Sequence, residues 1–269
     1  MTSERKETLR VHYQSDLIDA QWRVLAPFVP QAKSNKKTGG SPEKYAKREI
    51  VNGILYVKSS GCRWRDLPHD LPPWPIVYHY FNTWSKRGIW KRINAKLRRM
   101  VRKKRGRNEE PSVGIIDSQT AKGVDITENS GYDAGKKTKG RKRHLITDTQ
   151  GLLVDAVVHS ASIQDRDGAR ILLRHAERAM GAIEKIYADG GYAGKLIGWV
   201  KKKFGIALEI VKRSDLKGFV VLPKRWIIER TNAWVSKARR MSKEYERTTR
   251  NEESMIYVTM IHLMLRWVI

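Results

Sequence analysis

Apolar positions recur at helical spacing through the first hundred residues and in short, strand-length runs thereafter. Ser15 stands at the cap position of a first helix that carries Leu17, Ile18, Trp22 and Leu25 on one side and stops before Pro27 or Pro30. A loop rich in Lys, Gly and Ser (31–40) leads into Ser41-Pro42-Glu43, where a capping Ser followed by Pro at the first helical position marks a helix start. That second helix runs to about Ser60, with Ile50, Ile54, Leu55 and Val57 apolar, and Gly61 ends it. After a Pro-broken connection (67–75), Val77, Tyr80, Phe81 and Trp84 form the inner face of a third helix. Its outer face shows Tyr78, His79, Asn82, Thr83 and Lys86.

Beyond residue 112 the period changes. Residues 113–116 read as a first strand, and 143–147 and 152–159 as a second and third joined by the turn Asp148-Thr149-Gln150-Gly151. Residues 165–180 form an amphipathic helix with Ile171, Leu172, His175 and Ala179 inward. A fourth strand (183–188), a helix (195–204), a fifth strand (206–211) and one long helix (224–245) follow. The order β-β-β-α-β-α-β-α is that of an α/β ribonuclease-H-like domain, a five-stranded mixed sheet flanked by helices. It is preceded by an all-α, helix-turn-helix-like N-terminal domain. The boundary falls at 106–111, so the expected units are residues 1–105 and 106–269. The apolar stretch 255–269 is left with two roles, packing on the second unit or joining two copies.

Charge changes the picture next. Lys and Arg number 54 against 28 Asp and Glu, a net +26 over 269 residues, which favours a polyanionic partner. Between Lys91 and Arg107 ten of seventeen residues are basic and none is acidic. So many like charges on one helix repel unless an anion compensates, which points Arg98, Arg99, Arg102 and Lys103 toward DNA. The polar face with His79, Asn82 and Lys86 is compatible with major-groove reading. A second basic segment, Lys136, Lys137, Lys139, Arg141, Lys142 and Arg143, reads as a phosphate-contacting loop between the first two strands. No run of about 18 apolar residues is present to span a bilayer. Cys62 is the single cysteine, so neither an internal disulfide nor a cysteine-based zinc site is expected. The expected location is cytoplasmic, in association with the nucleoid.

Three acids stand where a nuclease-type metal site needs them. Asp117 ends the run 113–116, Asp189 ends Ile186-Tyr187-Ala188, and Glu229 lies within the last long helix. Two carboxylates at strand ends and one on a helix can converge on hard divalent cations, which take oxygen ligands and assist phosphoryl transfer. Other candidates have plainer readings. Asp148 makes a hairpin turn, Asp165 or Asp167 caps a helix, His144 and His159 are packed strand residues, and Trp226 and Trp234 are core.

Several segments together resemble the DDE transposases of bacterial insertion sequences, in the insertion-sequence-five branch of the insertion-sequence-four/five superfamily. In the first half these are Gly61-Cys62-Arg63-Trp64-Arg65-Asp66-Leu67-Pro68 and Leu71-Pro72-Pro73-Trp74. In the second they are Ile116-Asp117-Ser118-Gln119-Thr120, Gly131-Tyr132-Asp133-Ala134-Gly135-Lys136-Lys137 and Lys139-Gly140-Arg141-Lys142-Arg143-His144. Gln164-Asp165-Arg166-Asp167-Gly168-Ala169, Ala188-Asp189-Gly190-Gly191-Tyr192-Ala193-Gly194 and Arg225-Trp226-Ile227-Ile228-Glu229-Arg230-Thr231 complete the set. The resemblance assigns the catalytic, metal-holding triad to Asp117, Asp189 and Glu229, separated by 72 and 40 residues. It also implies that Arg225, four residues before Glu229, holds DNA phosphate. Two positions depart from the family pattern: Leu222 stands in place of a tyrosine, and Ser236 in place of a lysine, with Lys237 one residue on.

What the resemblance implies is a DNA transposase that binds terminal inverted repeats, cleaves DNA with two Mg2+ ions (Mn2+ substituting), and joins the 3′ hydroxyl end to target DNA. Its partner is double-stranded DNA, and joining two ends implies at least a homodimer. The alternatives are a ribonuclease-H-like nuclease or resolvase, and a transposase-derived DNA-binding regulator.

Overall fold

Four helices come first in the computed structural model, which describes residues 10–30, 44–124, 127–211 and 225–269, with Arg225 described in its backbone alone. They are α1 (Asp19–Leu25), α2 (Lys47–Ser60), α3 (Trp74–Lys86) and α4 (Ile89–Lys104). The expected start of the second helix, Ser41-Pro42-Glu43, lies outside the described residues, and α2 itself begins at Lys47. Its end is as the sequence indicates. Gly61 adopts φ 76°, a left-handed turn, and its N–H caps the Val57 carbonyl. In α4 the residues Ile89, Ile93, Leu97 and Val101 recur every four positions and are all buried.

The second half builds one sheet from β1 (Val113–Lys122), β2 (Gly131–Asp133), β3 (Thr138–Asp148), β4 (Leu153–Ser160), β5 (Lys185–Ala188) and β6 (Ala207–Ile210). Its main order is β4-β3-β1-β5-β6, with the short β2 paired to the start of β3. The β1–β3 and β3–β4 pairs are antiparallel, while β1–β5 and β5–β6 are parallel. Helices α5 (Asp165–Ala176), α6 (Lys195–Phe204), α7 (Arg225–Ser236) and α8 (Thr249–Val268) complete the chain. This is the mixed, ribonuclease-H-like sheet that the element order predicts, with an all-helical region before it and β2 as an added short strand.

Alternation along the strands separates two cores. Ile115, Leu145, Leu153 and Ala156 share one core with the N-terminal helices, α7 and α8. Ile116, Ile146, Val154 and Val157 face the other way, onto α5 and α6. The first core is continuous from Leu17 to Leu265, so the N-terminal helices, α8 and one face of the sheet exclude water together. The apolar stretch 255–269 therefore packs inside this chain.

The expected long helix over 224–245 ends at Ser236. The reason lies in two arginines on β3. Arg141 and Arg143 point from the sheet toward α8 and are wholly buried. Arg143 donates to the carbonyls of Met241 (2.8 Å) and Lys243 (3.1 Å), and Arg141 to those of Glu246 (2.9 Å) and Arg247 (2.6 Å). A helix would consume those carbonyls itself, so residues 241–247 follow an irregular path that the guanidiniums satisfy. Arg143 also pairs with Glu244 (2.6 Å) and Glu252 (2.9 Å), both buried. Burial raises the pKa of each of these two carboxyls despite the arginine beside them.

Two further buried groups tie α2 to α8. Lys58 Nζ lies 2.9 Å from His262 Nδ1. Burial, reinforced by Lys58 and then Arg266, pushes the imidazole down to about 3, and burial with Arg266 lowers Lys58 to about 8. Among the described residues no helix is long and apolar enough to cross a membrane.

Removing Arg143 strands two buried carboxylates and two carbonyls. Arg143→Ala is expected to cost about 3–5 kcal/mol, read as a shift in the urea midpoint. The His262 site gives a pH test. Unfolded histidine takes its proton near pH 6.5, whereas folded His262 stays neutral down to about 3. Between those values the unfolded state binds the extra proton, so stability falls with falling pH by up to about 1.4 kcal/mol per unit from this group. Against wild type, His262→Asn is expected to flatten the plot of unfolding free energy between pH 6.5 and 5 by about that slope.

Candidate active site

The period-two alternation that splits the cores also aims the two acids: Asp117, which lies within β1 and not at the end of its strand as expected, and Asp189, which directly follows β5. Ile115 and Tyr187 face the α7 side of the sheet, so Asp117 and Asp189, two residues on in each strand, face it as well. The parallel register Ile115↔Tyr187, continued by two residues, sets Asp117 beside Asp189. Both acids are half-buried and line one small cleft with Ile115, Tyr187, Val211 and Ile228. Each is held. Asn232 on α7 donates to Asp117 Oδ2 at 3.0 Å, and the Gly191 N–H donates to Asp189 Oδ1 at 2.8 Å.

Glu229 sits on α7, exposed, next to Ile228 of the cleft wall and three residues before Asn232. The structure thus brings Asp117 and Asp189 to one cleft, with α7 reaching it through Asn232 and Ile228. Among the described residues no three His, Cys, Asp or Glu side chains are gathered tightly enough to hold a metal ion. Two half-exposed carboxylates are nevertheless hard oxygen donors of the kind Mg2+ or Mn2+ takes, so the donor chemistry fits a divalent cation.

On the opposite face of β1 lies a polar network that the strand pattern did not suggest. Asp165 begins α5, and its side chain accepts Ser118 Oγ at 2.9 Å and Lys142 Nζ at 3.0 Å. Gln164, not Asp165 or Asp167, occupies the cap position. Burial opposes ionisation of Asp165, but the Lys142 and Ser118 hydrogen bonds outweigh it and hold the carboxyl below its usual range. Behind it, His144 Nδ1 lies 2.8 Å from His159 Nε2, and Tyr192 Oη lies 3.0 Å from His144 Nε2. His159 Nδ1 meets the Ser160 carbonyl at 2.9 Å and so must carry hydrogen. That fixes every proton in order: Tyr192 donates to His144, His144 to His159, and His159 to the backbone. Both imidazoles are neutral, with His144 pushed to about 3 by burial and by His159. Tyr192 is raised well above its usual pKa by burial and by Asp117, Asp165 and Asp189. The signal for these residues was their place in the motifs around Asp117, Asp165 and Asp189.

Several expected DNA contacts turn inward. Arg98 is buried against Glu110 (2.9 Å) and Arg102 against Asp148 (2.5 Å), while Asp148 also accepts the N–H groups of Gln150 and Leu152 in its turn. Arg141 and Arg143 hold the α8 segment, and Lys142 holds Asp165. These five residues spend their charge within the molecule because acids and carbonyls face them. Arg99 pairs with Glu110 at the surface. His79, Lys86, Lys103, Lys136, Lys137, Lys139 and Lys237 are exposed, and Asn82 is half-buried. The side chain of Arg225, and Leu222, lie outside the described residues.

Comparisons with known proteins bear on the whole arrangement. Residues 17–94 match the family described as "Putative transposase of IS4/5 family", and residues 108–264 match the family described as "Transposase DDE domain". The chain is 29% identical over 115 residues to the "Putative transposase for insertion sequence element IS402" of Burkholderia cepacia, a match covering 40% of this chain and 54% of that protein. It is 30% identical over 86 residues to an uncharacterized 16.2 kDa protein of the same IS402 element, covering 30% of this chain and 58% of the relative. An uncharacterized protein, y4sN, of Sinorhizobium fredii is 30% identical over 83 residues, or 31% and 63% of the two lengths. The chain thus spans somewhat over half the length of these relatives.

The histidine pair constrains α5 at one position. A Cβ on Gly168 would stand 2.5 Å from both His144 Cε1 and His159 Nε2. Gly168→Ala gains up to about 1 kcal/mol of helix propensity. It is nevertheless expected to destabilise by about 1–3 kcal/mol in chemical denaturation, because the locked rings cannot yield.

Proposed function

The chain belongs to the DDE-domain transposases of the IS4/5 type, and from that premise we propose that it cuts the ends of an insertion sequence and joins them to target DNA. The observation that carries this reading is the pair Asp117 and Asp189, aimed into one cleft from neighbouring parallel strands. Glu229 is the third member in this proposal, drawn from α7. The three would hold Mg2+, with Mn2+ as substitute, two ions in all. A divalent cation, when bound, would supply positive charge against the scissile phosphate and lower the pKa of water, so that water gives up its proton as its oxygen attacks.

The chain's own groups do the rest. Asn232 and the Gly191 N–H fix the orientation of the two strand acids, so little reorganisation is needed when DNA arrives. In the first step a water oxygen bonds to phosphorus and the bond to the 3′ oxygen breaks, leaving a 3′ hydroxyl and a 5′ phosphate. In the second, that 3′ oxygen bonds to a phosphorus of target DNA, and the target's own 3′ oxygen leaves. Arg225 and Lys237 are proposed to hold phosphate beside the acids. Residues 1–105 are proposed as the unit that binds terminal inverted repeats, through His79, Asn82, Lys86, Arg99 and Lys103. Residues 106–269 form the catalytic unit, with Lys136, Lys137 and Lys139 near the DNA. Two copies acting together on two ends complete the proposal.

The test is one incubation of DNA carrying the element's ends with the protein, Mg2+ and a target plasmid. Cleaved ends and joined products are both expected, and cleaved ends without joined products sink the transposase reading. Asp117→Asn is expected to slow cleavage by about a hundredfold or more while leaving DNA binding in place. Unchanged cleavage by that variant removes Asp117 from the chemistry.

A further inference from the structure

Helix α5 lies on the sheet face opposite α7, α8 and the N-terminal helices, with Ala169, Leu172, Leu173 and Ala176 in the second core. Away from the sheet it presents Arg166, Arg170 and Arg174, spaced four apart in sequence. Four residues of α-helix advance roughly 6 Å, so the three arginines form a row roughly 12 Å long, the rise of three to four base steps at roughly 3.4 Å each. The row starts behind β1, on the face of the sheet opposite the Asp117–Asp189 cleft. Asp165, next to Arg166, takes the hydroxyl of Ser118, which follows Asp117. Arg166 Nη1 approaches Gly194, five residues beyond Asp189, to within 3.5 Å of where a Cβ would stand.

Cations crowd this face. The guanidiniums of Arg170 and Arg174 lie 5.6 and 5.5 Å from the ring centre of Trp199 on α6, and the Lys203 ammonium lies 6.0 Å from it. No acid occurs in α6 to offset them. Asp167 stands 3.6 Å from Arg170, but this is a solvent-exposed pair, of a kind worth little. Arg170 Nε is shielded from water and has no hydrogen-bond partner among the described residues. A groove of about 590 Å³, lined by Ser162, Gln164, Asp167, Arg170 and Arg174 among others, lies beside the last two arginines. A phosphate chain laid there would relieve the repulsion.

We propose that Arg166, Arg170 and Arg174, with Trp199 orienting the last two, bind the backbone of the target duplex as it leaves the cleft. This rests on the DNA-joining function proposed above. Guanidinium-to-phosphate contacts carry no base information, so this row holds and orients a duplex without selecting its sequence. The placement suits target DNA for a second reason. The N-terminal helices, proposed to hold the element's end, are on the other face of the sheet, so the two duplexes do not compete for one surface.

The experiment compares the unaltered chain with the triple variant Arg166→Gln, Arg170→Gln, Arg174→Gln, binding a short random-sequence duplex across a salt series. Each lost phosphate contact lowers the slope of log affinity against log salt by roughly 0.9. A fall of about two or more, with melting temperature unchanged, is the expected result, and a smaller fall overturns the proposal. Vesicles of phosphatidylserine are the second probe: an equal loss of vesicle binding with duplex binding kept would assign the row to a lipid surface and overturn it too. If the slope falls as expected but the unaltered chain neither cleaves nor joins DNA, the catalytic reading fails while the duplex-binding surface stands.

Discussion

Two guanidiniums buried beneath a β-sheet dictate much of this molecule. Arg141 and Arg143 leave β3 on the side of α8, where no water reaches them, and a buried cation must find carboxylates and carbonyls or cost several kcal/mol. They find Glu244, Glu252 and a run of backbone carbonyls, and the chain between α7 and α8 is shaped around that need. The same segment then reaches outward. Arg240 pairs with Glu246 at 2.8 Å and donates to the Cys62 carbonyl, and Trp64 donates to Glu246. One polar cluster thus joins the end of β3, the approach to α8 and the turn after α2. Hydrophobic burial supplies the bulk of the driving force here, as in any core of this size, but these hydrogen bonds decide which backbone path the burial stabilises.

Strand alternation turns that arrangement into a division of labour. On β3, Arg141 and Arg143 face α8 while Lys142 and His144 face α5, so adjacent residues serve different sides of the sheet. On β1 the same rule sends Asp117 toward α7 and Ser118 toward Asp165. Asp117 and Asp189, the acids proposed for catalysis, are therefore backed, across one strand, by a network with no loose protons: Asp165 ionised, both histidines neutral, and Tyr192 donating away from the cleft. For the function proposed above, a cleft with fixed dipoles behind it would need little rearrangement when a cation arrives.

The regular parts of this structure were legible in the sequence because they follow period and punctuation. The α6 bounds and the end of α2 at Gly61 come directly from such signals, and so does most of the order of elements along the chain. The helix expected over 224–245 failed for a different reason. Nothing local to residues 237–245 forbids helix, and the competing partners, Arg141 and Arg143, are about a hundred residues away in the chain. The role of Asp165 was obscured in a similar manner, since an acid at a helix start reads as a cap whether or not it reaches across to another strand. Asp189 was legible because the end of β5 is marked locally, whereas the strand expected to close at Asp117 runs on to Lys122, and the register that sets the two acids side by side is a long-range pairing. The position of Glu229 relative to them depends on how α7 docks, which periodicity alone does not fix.

Burial also redistributes the +26 net charge that first pointed to a polyanion. Of the ten basic residues between Lys91 and Arg107, Lys91, Arg98, Arg99 and Arg102 are engaged with Asp155, Glu110 and Asp148. They act as rivets between α4 and the sheet, and a count of charges along the helix overstates what its surface offers to DNA. The six others are outward or unpaired by these acids, and their repulsion remains to be offset. A similar correction applies to the segment 136–143, where half of the six basic side chains are interior. The face that loses least to such pairing is α5 with α6, whose cations meet an indole and one exposed carboxylate in place of buried acids. Net charge indicates that an anion is wanted; it is the pattern of internal pairing that indicates where on the surface the demand is left unmet.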